Sequence, residues 1–593
     1  MNTAAVNPRI ALYSALALVL GVCITAYGSG HPSLDWLPGM GSLPDLYEAS
    51  IEELQEGLRK RRFTSVDLVK AYLARIDEVN LNGPGLRAVL ETNPHALEQA
   101  AELDRERKTS GPRGPLHGIP ILLKDNIATK HEEGMNTTAG SYALLGSVAP
   151  GDATVAAKLR AAGAILLGKN TLSEWAYWRG QIPSGFCGRL GQATNPYVRD
   201  GNPSGSSAGS AIAAALGLAA GALGSETDGS IISPSSLGNI VGLKPTVGLT
   251  SRAGVIPISE HQDSVGPMCR CVADAAAVLA AIVGRDPKDN YTLSQPEVAP
   301  DYTKALRKDG LKGARLGVPR ELFKDIDANV LIAFDAALAT VRALGATVVD
   351  PADLQEGWDQ AAVWATEEIV LCGDFKENMN AYLAKLVAVP TGVRTVADII
   401  AFNAAHADQE LVEPFWTDQS TLVKSDATPQ DARFWAAVVA GYRAGREDGI
   451  DGALARHALD ALLLPTVRAS RPAAVAGYPV MSGACLSPWR RCRRRLRDVR
   501  GRHRWSHADV WRGLTLAVPL GFQPPDVALG EANPTRMNGP GMPFGVAFLG
   551  TAYSEFKLIQ YAYAYEQATK TRLQRRAYPE AIPKTQLVHV IGK

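Results

Sequence analysis

The stretch NPSGSSAGSAIAAALGLAAGALGSETDGSIISPSSL, from Asn202 to Leu237, is built almost wholly of glycine, serine and small apolar residues. Two glycine/serine loops flank an alanine-rich run, and residues 208–220 read as a helix of about three turns whose small side chains suit burial on every face. Such a helix would hold both loops rigidly. A glycine/serine loop that opens a helix can cradle phosphate on its backbone N–H groups. No lysine follows Gly205-Ser206-Ser207, however, and the G-x-G-x-x-G spacing is missing from 203 to 210, which argues against nucleotide binding. A serine nucleophile without a histidine needs another base. Lysine serves only when neutral, and neutrality requires burial or neighbouring positive charge.

Working outward, Gly118-Ile-Pro-Ile-Leu-Leu-Lys124 reads as a buried strand that ends on a lysine, where an α/β enzyme displays its chemistry. Residues 65–77 read as a capped amphipathic helix. Two stretches share a plan of helix, glycine stop and strand: 153–162, Gly163 and 164–168, then 331–344, Gly345 and 346–349. Further strands are expected at 315–318, 461–464, 516–520 and 544–549, with a last helix at 554–569. This alternation makes the fold class α/β.

The chain has 593 residues, 46% hydrophobic and 20% charged, which suits a large folded core. A net charge of +1 gives no whole-molecule reason to expect nucleic acid as a partner. Seven scattered cysteines do not form a disulfide framework, and no metal-ligand cluster accompanies Cys269-Arg-Cys271. No metal or cofactor is expected. Residues 1–30, with Arg9, an apolar run from Ile10 to Tyr27 and a small-residue exit, read as a signal peptide or membrane anchor, which predicts a secreted or membrane-anchored protein. Residues 481–513 depart from all of this. Nine arginines fall between Arg490 and Arg504, with no heptads, metal ligands or helical amphipathicity. The segment is expected to be an insert without a selected role, of the kind a translated intron would give.

Together these residues resemble the amidase signature family. The likeness is carried by Gly118 to Asn126, by Gly168-Lys-Asn-Thr-Leu-Ser-Glu-Trp-Ala176, by Thr194-Asn-Pro-Tyr197 and by the run from Gly205 to Pro245. The resemblance implies an amidase domain over residues 45–575, with a central mixed β-sheet flanked by helices on both faces. It implies amide hydrolysis by a Ser-cisSer-Lys triad through a seryl acyl-enzyme, with Ser230 as nucleophile, Ser206 as proton bridge and Lys124 as base. The peptide bond before Ser206 is then cis, and the backbone N–H groups of Thr227, Asp228, Gly229 and Ser230 form the oxyanion hole. The partner is a small-molecule amide, with membrane contact only through the N-terminal segment.

Other residues are expected to be scaffold. Ser207, Ser210, Ser233 and Ser235 read as caps or core hydrogen bonders, Arg252 and Asp263 as a structural ion pair, and His261 as scaffold. Gly185-Phe-Cys-Gly-Arg-Leu-Gly-Gln192 is a worn version of a family stretch. Two alternatives stand beside the free-standing amidase: the amidotransferase component that shares the triad and passes ammonia to a partner in making glutaminyl-tRNA, and a catalytically impaired amidase-fold binding protein.

Overall fold

A computed structural model describes residues 43–483 and 519–592. Its strands are β1 (Val89–Thr92), β2 (Pro120–Lys124), β3 (Ile165–Asn170), β4 (Phe186–Cys187), β5 (Gly191–Gln192), β6 (Gly221–Glu226), β7 (Val241–Lys244), β8 (Ser264–Cys269), β9 (Arg315–Gly317), β10 (Thr347–Val349), β11 (Ala461–Pro465), β12 (Val480–Gly483), β13 (Pro519–Phe522) and β14 (Pro543–Leu549). All but β4 and β5 form one mixed sheet in the order β1-β3-β2-β6-β8-β7-β12-β14-β11-β9-β10, with β13 also on β14. The trio β3-β2-β6 is parallel, the strands from β6 across to β11 pair antiparallel, and β11-β9-β10 is parallel again. Every residue of β2, β3, β6, β7, β8, β11 and β14 is buried. Since alternate side chains point to opposite faces, helices must cover both faces, which is the expected α/β architecture.

The helix within the opening stretch runs Ala208–Leu216, shorter than the sequence predicts. Gly217 stops it with φ 63°, a left-handed C-cap that glycine adopts freely, and the chain then turns into β6. The sequence does not announce that strand, because Gly221-Ala-Leu-Gly-Ser-Glu226 lacks the β-branched and aromatic residues that mark strands. Its small residues serve packing. A Cβ added at Gly224 would lie 2.6 Å from Met268 Sδ and 2.9 Å from Ser207 Oγ, so only glycine lets helix and sheet approach this closely. Three buried arginines take up the carbonyls where that helix ends: Arg75 binds Leu216 and Gly217, Arg572 binds Ala215, and Arg270 binds Ala219 and Ala220. Cations at a helix C-terminus complement its dipole.

The compact unit starts at Asp45 and continues past residue 575 to the end of the described chain. Arg75 also holds the carbonyl of Thr585, and Leu587 is fully buried. The insert begins later than the sequence suggests. Met481 is fully buried and pairs with Leu243 and Phe548, so residues 481–483 belong to the sheet. The rest of the insert, the expected strand start at 516, and the N-terminal segment 1–30 lie outside the described residues. The cysteines described, Cys187, Cys269, Cys271 and Cys372, are free thiols.

Candidate active site

The three residues singled out for catalysis meet at the carboxyl ends of β2 and β6. Lys124 is the last residue of β2, opposite Asn170 of β3, and is fully buried. Its Nζ lies 2.7 Å from Ser206 Oγ, 3.0 Å from Ser225 Oγ and 3.1 Å from the Ser225 carbonyl oxygen. Burial pushes the Lys124 pKa down to about 7, against the opposing pull of the Asp263 and Glu226 carboxylates. A neutral Nζ has two N–H bonds for the two Ser225 oxygens, which leaves its lone pair facing the Ser206 hydroxyl.

Ser206 sits in the loop that opens the Ala208–Leu216 helix, fully buried, after a cis Gly205–Ser206 peptide bond. Its carbonyl accepts the Ser173 N–H at 2.9 Å. Ser230, 8% exposed, follows the turn beyond β6. A backbone bond from Ser207 N–H to the Ser230 carbonyl, 3.1 Å, ties its loop to that of Ser206. Lys124 and Ser206 are thus in direct contact, and Ser230 is held beside them through the backbone. Among the described residues the Ser230 hydroxyl makes no hydrogen bond of its own. Catalytic contacts commonly tighten only around a substrate.

Glu226 shapes the turn from below, its Oε2 accepting the N–H groups of Ile231 at 2.6 Å and Ile232 at 2.9 Å. Gly229 has φ 86°, a left-handed conformation suited to glycine. Among the described residues no protein acceptor takes the N–H groups of Thr227, Asp228, Gly229 or Ser230. The turn therefore presents unspent donors beside a serine hydroxyl, which suits an oxyanion. The neighbouring serines are structural, as expected: Ser207 donates to the Ser225 carbonyl, Ser210 to that of Leu223 and Ser235 to that of Ile231, and Ser233 Oγ lies 2.6 Å from Ser204 Oγ.

One expectation changes. Arg252 does not pair with the Asp263 carboxylate; its fork closes on Asp289 at 2.7 Å. Asp263 instead braces the turn, because its Oδ1 accepts the Thr227 hydroxyl while Oδ2 accepts the N–H groups of Ile258 and Ser259. Asp289 takes both Nε and Nη2 of Arg252, on Oδ2 at 2.9 Å and Oδ1 at 2.7 Å, whereas the guanidinium meets Asp263 only at its carbonyl oxygen, at 3.5 Å. The stretch 185–192 forms the β4–β5 hairpin, with Phe186 stacked on Trp416 at 4.8 Å and the Gly185 N–H on Ser173 Oγ at 2.9 Å. His261 is scaffold in its contacts, its Nδ1 2.6 Å from Asp374 Oδ2. Glu260, His261 and Asp374 bring ligand atoms within 4.8 Å of one another, but Asp374 is already engaged by His261, Ser259 and Gln430.

Sequence reasoning missed the groups behind these. Ser225 lies inside the opening stretch, one residue before Glu226, and alternation along a strand would have aimed it with Leu223 and away from Gly224. Glu367 and Arg471, which reach the turn from distant helices, leave no sequence signal.

Residues 67–559 match the Amidase family. The chain is 42% identical to the native peptide amidase of Stenotrophomonas maltophilia, covering 90% of this chain and 98% of that one, with a TM-score of 0.74. An amidase family protein from Bacillus anthracis str. Ames is 31% identical, covering 91% and 95%, also with a TM-score of 0.74. A glutamyl-tRNA(Gln) amidotransferase subunit of Geobacter metallireducens is 32% identical over 90% of this chain and 99% of its own length.

Proposed function

The chain belongs to the amidase signature family and is a hydrolase of carboxylic amide C–N bonds, and on that premise we propose that Lys124, Ser206 and Ser230 carry the reaction. The supporting observation is the 2.7 Å contact of a fully buried Lys124 Nζ with Ser206 Oγ. Neutral Lys124 takes the Ser206 proton while Ser206 takes that of Ser230, whose Oγ bonds to the amide carbon. The N–H groups of Thr227, Asp228, Gly229 and Ser230 receive the oxyanion. Collapse breaks the C–N bond as the proton returns from Lys124 through Ser206 to the departing nitrogen. Water, deprotonated by the same relay, then cleaves the seryl ester to release the carboxylate.

Ser230→Ala is expected to abolish acyl-enzyme formation and fluorophosphonate labelling while the protein still folds, because one hydroxyl at a turn contributes little stability. Retained burst kinetics in that variant would remove Ser230 from the mechanism. Unlabelled wild-type protein would favour the impaired, binding-only alternative.

Likeness to the peptide amidase supports a peptide amide as the first substrate to test, ahead of aliphatic, aryl and fatty acyl amides. Identity to the amidotransferase relative is lower, and free-standing hydrolysis is the preferred reading. Co-purification with a tRNA-binding subunit would reverse that preference. Residues 1–30 are proposed to route the protein to the secretory path or a membrane, a reading that recovery of full-length protein in the soluble cytosol would sink.

A further inference from the structure

Arg471 stands on the helix Ser470–Ala476, far in sequence from the site, yet its guanidinium reaches the oxyanion turn. It donates from Nη2 to Asp228 Oδ2 at 3.1 Å and from Nε to Glu367 Oε2 at 3.0 Å, and it lies 4.7 Å over the ring of Trp364. Glu367 is buried; its Oε1 accepts Gln262 Nε2 at 2.8 Å, and the same Nε2 reaches the Thr227 carbonyl at 3.4 Å. One cluster thus grips the turn at the Asp228 side chain and at the Thr227 carbonyl.

The charges make this grip more than packing. Asp228 precedes Ser230 by two residues, its side chain is only 12% exposed, and its Oδ1 has no hydrogen-bond partner among the described residues. A bare carboxylate there would oppose the negative charge that forms on the substrate oxygen. At an effective dielectric near 20, a like charge about 6 Å away slows such a step roughly 100-fold. Burial and the neighbouring Asp228 carboxylate push the Glu367 pKa up while Arg471 pulls it down, and Arg471 is the cation that touches both carboxylates. An ion pair kept only for stability could be replaced by apolar groups at little cost.

We propose that Arg471 is a positioning residue of the oxyanion turn, whose charge cancels that of Asp228 beside the developing oxyanion and whose fork holds the turn in place. This rests on the turn being the oxyanion hole. The test uses the full chain and a peptide amide that the wild type turns over, with kcat and KM measured for Arg471→Met, Arg471→Lys and the double variant Arg471→Met/Asp228→Asn. Arg471→Met is expected to lose roughly 30- to 100-fold in kcat with KM within about threefold of wild type. Arg471→Lys, which keeps the charge, should stay within about tenfold of wild type. The double variant should regain about tenfold or more over Arg471→Met, because a neutral amide at position 228 would need no counter-charge. Wild-type kcat in Arg471→Met, or a double variant as slow as the single one, overturns the proposal. Should Arg471→Met fail to fold, Arg471→Lys and the charge-free double variant decide it, since a loss beyond about 30-fold in either contradicts charge cancellation. Turnover retained by Ser230→Ala would sink the triad but leave this ordering of rates readable.

Discussion

The role proposed for Lys124 as base depends on the fold denying it water. A lysine at the end of an apolar strand is legible from the sequence pattern. What is not legible is the dryness around Nζ, which packs against Ser206 and against Ser225 of β6, 82 and 101 residues away in sequence. Because the group must be neutral to act, kcat/KM for amide hydrolysis is expected to rise about tenfold per pH unit below pH 7 and to level off above it. A profile flat from pH 6 to 11 would exclude Lys124 as the base, and one rising only near pH 10 would exclude its lowered pKa. Lys124→Arg should be inactive at every pH, since a guanidinium stays protonated. Stability follows the opposite logic. The folded pKa lies below the unfolded value of 10.5, so unfolding binds a proton between about pH 7 and 10.5. The burial penalty is therefore complete below pH 7 and fades as pH rises through that window. Lys124→Met should then stabilise the protein most at or below pH 7, by about 5 kcal/mol at the upper bound. Equal melting temperatures of the two proteins at pH 6 would contradict this.

Helices with polar caps and apolar stripes are legible nearly to the residue, as the helix Ser65–Val79 shows with its Thr64 and Asp67 capping box. The strand β6 is not, because its identity lies in what packs on it rather than in its own propensities. The alanine run likewise hides its own end, since Gly217 closes the helix only because Leu46 and the buried arginines await it there. The glycines of this region set the distance between helix and sheet, and so the placement of Ser206. Gly224→Ala is expected to force its new methyl against Met268 and Ser207, lowering stability by about 1–3 kcal/mol in denaturant unfolding. Because Ser207 neighbours Ser206 and bonds the Ser225 carbonyl, kcat should fall as well. A variant with wild-type midpoint and wild-type kcat would mean that the layer spacing is not fixed there.

At the scale of the molecule, the α/β class and the site at the strand ends are legible, while the order of the sheet depends on pairings between segments far apart in the chain. The arginine-rich insert shows this most clearly. β12 runs antiparallel to β14 with Val480 opposite Leu549 and Gly483 opposite Val546, and β13 resumes with Pro519 opposite Gly545 and Phe522 opposite Pro543. The two strands touch, and their partners on β14 are consecutive, so they lie end to end as two halves of one strand. The described chain therefore leaves the sheet after Gly483 and rejoins it at Pro519, at consecutive register positions of β14. Joining Gly483 to Pro519 leaves every backbone pair on β14 in place, whereas a cut at 481–513, the limits suggested by sequence, would remove three paired residues and keep five that follow the break. The excised segment carries ten arginines, nine of them between Arg490 and Arg504, where like charges so closely spaced repel one another. Closing a longer loop costs only about 0.6 kcal/mol per doubling of length, which is why the parent fold tolerates it. Deletion of residues 484–518 is accordingly expected to raise soluble yield or leave it unchanged, to keep amide hydrolysis within about threefold of the full chain, and to raise the melting temperature by a few degrees as the split strand becomes continuous. A deletion protein that fails to fold while the full chain folds would show the segment to be structural, and with it the reading of β12 and β13 as one interrupted strand would fall.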